Sequence, residues 1–227
     1  MQSARKLHRN TDILSDPQYV RAIATYTFFV GTLMFVSMYI SYRWELSLTT
    51  ILVAFGAAIG AIFIFKGSDK PAISTLGVCL LGAALGIMIG PAVATFSTDV
   101  VMEGIFSAIA IMVGMSILGV MFPNAFIGMG AYLMAALTAL IFAGFAQILF
   151  AYLGFPQALD MPWLNLAGIL VFTLFVAYDW ADAMKKEHTL DNAIDASGGL
   201  VIDLANLILK FIIFFDNLKK GKFSFKL

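Results

Sequence analysis

Two aspartates interrupt apolar runs in the last third of this chain, and their spacing could support proton or ion chemistry. Asp179 closes the run Gly168–Tyr178, and Asp203 sits inside Gly199–Leu209. A short polar connection between the runs carries Asp182, Glu187 and Asp191, which read as solvated loop acids. If the two runs are helices, so short a connection makes them antiparallel neighbours. Asp179 then lies about five residues before the end of one helix and Asp203 about ten after the start of the next. At about 1.5 Å rise per residue their depths differ by roughly a turn. Two carboxylates facing each other in a low dielectric tend to share one proton, because both cannot ionise cheaply. Such a pair would be a pH-sensitive latch. The shared proton would hold the helices together, and its loss would repel them and offer two oxygen ligands to a hard cation such as Ca²⁺.

Asp195, Gly199, Asp203, Asn206 and Lys210 are spaced four, four, three and four, which places them on one face of a helix whose other faces are Leu, Val, Ile and Phe. A polar stripe on a membrane helix should face the bundle interior or a water-filled cavity, since a charge at depth is costly. Asp195, Asn206 and Lys210 are therefore candidate supporting residues. The competing reading is that these side chains only snorkel to the interface. For Asp195, solvation at the surface is as good an account as function.

The elements that must hold these residues follow from composition. Of 227 residues, 61% are hydrophobic and 12% charged, against roughly a quarter charged in ordinary soluble domains. With a mean hydropathy of +0.92, a core of this size could not hide the apolar surface, so lipid must cover it. Arg21 and Arg43 enclose 21 uncharged residues, Glu45 and Lys66 enclose 20, and Lys70 and Asp99 enclose 28. The 56 between Glu103 and Asp160 must hold two spans, since one crossing takes about 20 residues. Pro123-Asn124 is the turn between them, and Gly154 with Pro156 ends the second.

The sequence therefore predicts an all-α integral membrane protein, with helices near 20–42, 47–65, 72–95, 101–121, 125–152, 162–184 and 193–215. Residues 1–19 form a polar tail, 20–216 a single seven-helix membrane domain and 217–227 a basic tail. Gly56 and Gly60, and then Gly82, Gly86 and Gly90, repeat at four-residue spacing that lets helix backbones approach closely. Tyr39, Tyr42, Trp44, Trp163, Tyr178 and Trp180 fall near the expected ends, as an aromatic belt would.

Arg5, Lys6, Arg9 and Arg21, then Lys66 and Lys70, then Lys185 and Lys186 mark one side of the membrane, and the positive-inside rule makes it the cytoplasm. A seventh crossing would then export Lys219, Lys220, Lys222 and Lys226. Either the seventh helix is a partial span or the tail crosses against its charge. Zero net charge excludes the basic face of a nucleic-acid binder. The lone Cys79 excludes an intrachain disulfide.

The stretches Gly168-Ile169-Leu170-Val171-Phe172, Ala177-Tyr178-Asp179 and Ile202-Asp203-Leu204-Ala205-Asn206-Leu207 resemble the transmembrane Bax inhibitor motif family, also called Bax inhibitor-1-like proteins. Gly114-Met115-Ser116 through Pro123 and the region Gly128–Gln147 look like helices 4 and 5 of its bacterial members. The resemblance covers roughly residues 70–215. It implies a seven-helix fold with helix 7 central and a pH-sensitive Ca²⁺ leak gated by Asp179 and Asp203, with Ca²⁺ as a transient ligand and permeant ion. It implies no tightly bound cofactor. The expected host is a bacterial inner membrane, with the N-terminus cytoplasmic. The sequence departs from the family at Trp180, where a small polar residue is usual, and at Ile213, where a basic residue is expected. Helix 2 carries no internal acid, and Glu45 lies just outside it.

Rival readings are weaker. An intramembrane aspartyl protease would place Gly-x-Gly before its second aspartate, and here Leu200, Val201 and Ile202 stand there. A rhomboid-type protease or a haem site needs an intramembrane histidine, and His8 and His188 both lie outside the spans. The chain is therefore not expected to be an enzyme. A non-conducting regulator that binds other membrane proteins, with the acids locking helices 6 and 7, is the main alternative to the channel. A proton-coupled transporter would show inverted repeats, and no clear internal repeat is visible.

Overall fold

The computed structural model describes residues 13–45, 47–155 and 161–222. Arg5, Lys6, His8, Arg9, Pro156, Asp160 and Lys226 lie outside the described residues. Seven helices are long and apolar enough to cross a bilayer. They are α1 (Asp16–Ser41), α2 (Leu48–Lys66), α3 (Pro71–Val93), α4 (Thr98–Met121), α5 (Gly130–Tyr152), α6 (Pro162–Ala183) and α7 (Leu190–Lys219). Among the described residues, β pairing is limited to an isolated antiparallel bridge between Ile13 and Thr189. The all-α, seven-span architecture expected from the charge spacing is what the chain forms.

Local chemistry sets the ends. Helix α1 begins at Asp16 rather than near residue 20, because the Ser15 N–H and hydroxyl both donate to Gln18 Oε1 (3.0 and 2.9 Å) and Pro17 occupies the first turn. Phe122 breaks α4, and one helical turn (Pro123–Phe126) and a 3₁₀ turn (Ile127–Met129) lead into α5. The turn sits at Pro123-Asn124 as expected. At the far end of α5, Gly154 adopts φ +96° and the Phe155 N–H donates to Phe150 O at 3.0 Å. That is a glycine-dependent helix stop, which a residue with a Cβ would strain.

The chain divides into two compact units, residues 1–94 with 182–202 and residues 95–181 with 203–227. Helix α7 contributes its first turns to one unit and the rest to the other.

In the first unit α3 packs on α1 and α2. Its glycine stripe faces α1: a Cβ at Gly82 would stand 2.7 Å from Val30 Cγ1, and one at Gly86 would stand 2.7 Å from Ser37 Cβ. The Ser41 hydroxyl crosses the same seam and donates to Gly86 O at 3.2 Å. Gly77 turns instead to Phe65 of α2, and Gly198 of α7 meets Phe65 and Val78. The identically spaced Gly56 and Gly60 of α2 behave otherwise. Nothing in the described chain lies within 4 Å of where their Cβ atoms would be. The expected close approach therefore holds for α3 and fails for α2. Small residues cut a groove, but only a neighbouring helix fills it.

In the second unit α4 meets α7 at Gly104 and Ile212, and meets α6 where Gly119 faces Ala177 and Trp180. Gly130, at the start of α5, receives the Tyr178 ring. Most of α5 is exposed, including Tyr132, Phe142 and Phe145, as suits a lipid-facing helix. Lys219 at the end of α7 pairs with Glu103 near the start of α4 at 3.0 Å. The last turns of α7 therefore lie beside the start of α4. At 30 residues, α7 is about 45 Å long, more than the ~30 Å hydrocarbon core. A full crossing is open to α7 by length and composition. Lys220 is also engaged, with Asp216 at 2.7 Å, so Lys219 and Lys220 both carry acidic partners.

Tyr39, Tyr42, Trp44 and Trp163 are exposed near helix ends, as an interfacial belt requires. Trp180 is not part of it. It is 5% exposed and packs on Gly119, because the bulk that α4 lacks at that glycine is supplied by α6.

Candidate functional site

Among the described residues, Asp203 is the most deeply buried acid of the second unit. It is 4% exposed, and its Oδ2 is buried without a hydrogen-bond partner. Leu204, Ala205, Leu207 and Ile208 around it on α7 are buried as well. A helix that put this carboxylate toward lipid would pay several kcal/mol, so the face carrying it turns inward. Asp179, on α6, is half-buried. The two acids that the sequence marked lie within one compact unit. Asn206 lies one turn further along α7 and is half-buried.

Lys210 has a structural setting of its own. Its aliphatic stem crosses Gly168 of α6, where a Cβ would stand 2.9 Å from Lys210 Cε. Asn165 Nδ2 donates to the Lys210 carbonyl at 2.7 Å, and Asn165 is itself buried. Lys210 therefore clamps α7 to α6 two turns beyond Asp203.

Asp195 belongs to the first unit. Its Oδ2 lies 3.7 Å from Lys66 Nζ, at the end of α2, while its Oδ1 is buried without a hydrogen-bond partner. The carboxylate is 17% exposed, so it is not a freely solvated surface acid. Asp191 departs from its expected role too. It is half-buried, and the Ser74 hydroxyl of α3 donates to its Oδ1 at 2.6 Å. The connection between α6 and α7 is docked rather than merely solvated. His188 stacks on Tyr19 with ring centroids 4.2 Å apart and meets Asp16 at 3.1 Å, while the Leu14 N–H donates to His188 O at 2.8 Å.

Asn165 and Ser74 are not marked by the sequence, and Gly168 is marked only as the start of an apolar run. Asn165 left a signal, a lone amide near the start of an apolar run. Ser74 left none, since a serine in a membrane helix is unremarkable until its partner is known. Among the described residues, no group of three or more His, Cys, Asp or Glu side chains is placed to hold a metal ion. Any cation bound at Asp179 and Asp203 would complete its shell with water or backbone oxygen.

These features define a multi-pass α-helical membrane protein with an inward-facing acid in its final span. The family described as "Inhibitor of apoptosis-promoting Bax1" matches residues 18–220, and the chain belongs to this Bax inhibitor-1 family. No curated protein matches the chain.

Proposed function

We propose that the chain is a pH-sensitive cation leak channel, with Ca²⁺ as permeant ion and with Asp179 and Asp203 as gate. One observation carries the reading: Asp203 is buried in a membrane-spanning helix with Oδ2 lacking a hydrogen-bond partner, in the same compact unit as Asp179. While one proton is shared, the two carboxylates attract and hold α6 against α7. When it leaves, like charges repel and two anionic oxygens become available to a hard cation. Flux therefore rises with pH. Asn206 and Lys210 support the gate from the same helix, Lys210 by fixing α7 on α6, and Asp195 serves the far end of the same stripe. In this reading α7 is the central helix. The host is a bacterial inner membrane with the N-terminus cytoplasmic, and the protein neither catalyses a reaction nor holds a cofactor tightly.

The test is Ca²⁺ flux into proteoliposomes across pH. Asp179→Asn and Asp203→Asn should each flatten the pH profile while the protein stays folded. Unchanged flux and pH dependence in Asp203→Asn would sink the gate. The second reading, a non-conducting regulator that binds other membrane proteins, draws on the long exposed face of α5. Wild-type protein that conducts nothing at any pH would favour it.

A further inference from the structure

A lysine toward the end of a membrane helix ordinarily extends to the closer interface, where its ammonium meets water. Lys210 does the opposite. Its carbonyl meets Asn165, in the first turn of α6, yet its stem crosses Gly168, one turn deeper along that helix. Side chains on an α-helix lean toward its N-terminus, and here the lean carries the ammonium toward the level of Asp203. Nζ stands 3.5 Å from where a Gly168 Cβ would be, about 9 Å along α6 from its first residue.

The charge is not matched by an acid. Lys210 is half-buried, and among the described residues no acidic side chain pairs with it. Asp216 is taken by Lys220 at 2.7 Å and Glu103 by Lys219 at 3.0 Å. Asp203 shares this face of α7 but stands about 10 Å away along the axis. Asn165, only 6% exposed, brings a second unmet group. Its Nδ2 is spent on the Lys210 carbonyl, and its Oδ1 is buried without a partner. An ammonium without an acid and a buried amide oxygen without a donor both call for water. Gly168 leaves the room for it, since it sends no side chain into the seam.

We infer that Asn165, Gly168 and Lys210 enclose a hydrated niche, and that Lys210 is a fixed positive charge there which holds back cations entering the α6–α7 seam from this end. The barrier rests on the leak-channel reading; the niche does not. A positive side chain in a narrow watery path excludes cations by charge. Lys210 thus opposes Asp203: the acid attracts a cation, and the lysine limits how often one arrives.

Full-length protein in nanodiscs, carrying Asn165→Cys in a Cys79→Ser background, reads the niche through thiol modification. An anionic methanethiosulfonate should outpace a cationic one about fourfold, once each rate is divided by that with free cysteine. That is the factor that two units of charge carry about 10 Å from a lysine in water. Lys210→Gln should erase the preference. Because Asn165→Cys removes a bond that holds α7, a second arm leaves Asn165 intact. In vesicles Lys210→Gln should raise Ca²⁺ flux about fourfold, for the same charge and distance, and Lys210→Arg should keep it low. A thiol that neither reagent reaches in the folded protein overturns the niche, and equal corrected rates overturn its charge. Flux that is measurable in wild type and unchanged in Lys210→Gln overturns the barrier and leaves the channel reading in place. Wild type that conducts nothing refutes the channel reading and the barrier together, while the thiol rates still decide the niche.

Discussion

Two glycine stripes with the same spacing should respond in opposite ways to the same substitution. In Gly86→Ala the new Cβ would meet Ser37 Cβ at 2.7 Å and Met38 N at 2.8 Å, and would press on Met34 O. Carbon atoms settle at about 3.5–4.0 Å, so α1 and α3 would have to part by roughly 1 Å. That displacement stretches the Ser41–Gly86 hydrogen bond from 3.2 Å, a contact worth about 0.6 kcal/mol in membrane proteins. Overpacking of this kind costs about 1–3 kcal/mol, and alanine's helix preference returns at most about 1 kcal/mol. The expected net loss is about 1–2 kcal/mol. In Gly60→Ala nothing lies within 4 Å of the new Cβ, so only the propensity gain remains and stability should hold or rise slightly. Equilibrium unfolding in mixed micelles, followed by tryptophan fluorescence, reads both. Equal effects of the two substitutions would refute the assignment of the α3 stripe, and not the α2 stripe, to helix packing.

Other outcomes follow from single contacts. Glu103→Cys with Lys219→Cys, in a Cys79→Ser background, should be bridged within one chain by a short bifunctional thiol cross-linker, since the parent side chains meet at 3.0 Å and long side chains that meet at their tips leave the backbones farther apart than a direct disulfide spans. A helix α7 that turned back within the bilayer would leave the two thiols apart. Ser74→Ala removes the 2.6 Å bond to Asp191 and leaves a half-buried carboxylate short of a donor. A loss of about 1.5–3 kcal/mol is expected for a hydrogen bond to a charged group, read by thermal unfolding in detergent, and a loss within error would show that water replaces the hydroxyl. Gly168→Val should push the Lys210 stem off α6, because a Cβ there already falls 2.9 Å from Cε. Cross-linking between α6 and α7 should then drop, and an unchanged yield would contradict the clamp.

Much of the fold was legible because hydropathy adds up along the chain. Seven spans follow from where charges stand, without knowledge of any partner. What failed was local or tertiary. The start of α1 depends on the two bonds from Ser15 to Gln18, not on hydropathy, so the span was placed late. Gly56 and Gly60 look like Gly82 and Gly86, and only the neighbour distinguishes them. Trp180 looked interfacial because aromatic residues at helix ends usually are, yet Gly119 gives it an inward seat. At the site, Asp203 was visible as an acid in an apolar run, and Asp179 as its counterpart one turn off in depth. Asn165 and Ser74 were not, since their meaning lies in the Lys210 carbonyl and the Asp191 carboxylate, far away in sequence.

The bridge from Ile13 to Thr189, with the Leu14 N–H on His188 O, has a consequence in time. These partners are 176 positions apart. A ribosome adding roughly 5–20 residues per second needs on the order of 10–35 s to travel from one to the other. The first helix therefore enters the bilayer long before its leading end has anything to rest on. Its seam with α3 can close early, but the polar anchor of Tyr19 and Asp16 on His188 must wait for the last loop. A chain released before Thr189 would retain its first spans and lack the fastening that joins its beginning to that loop.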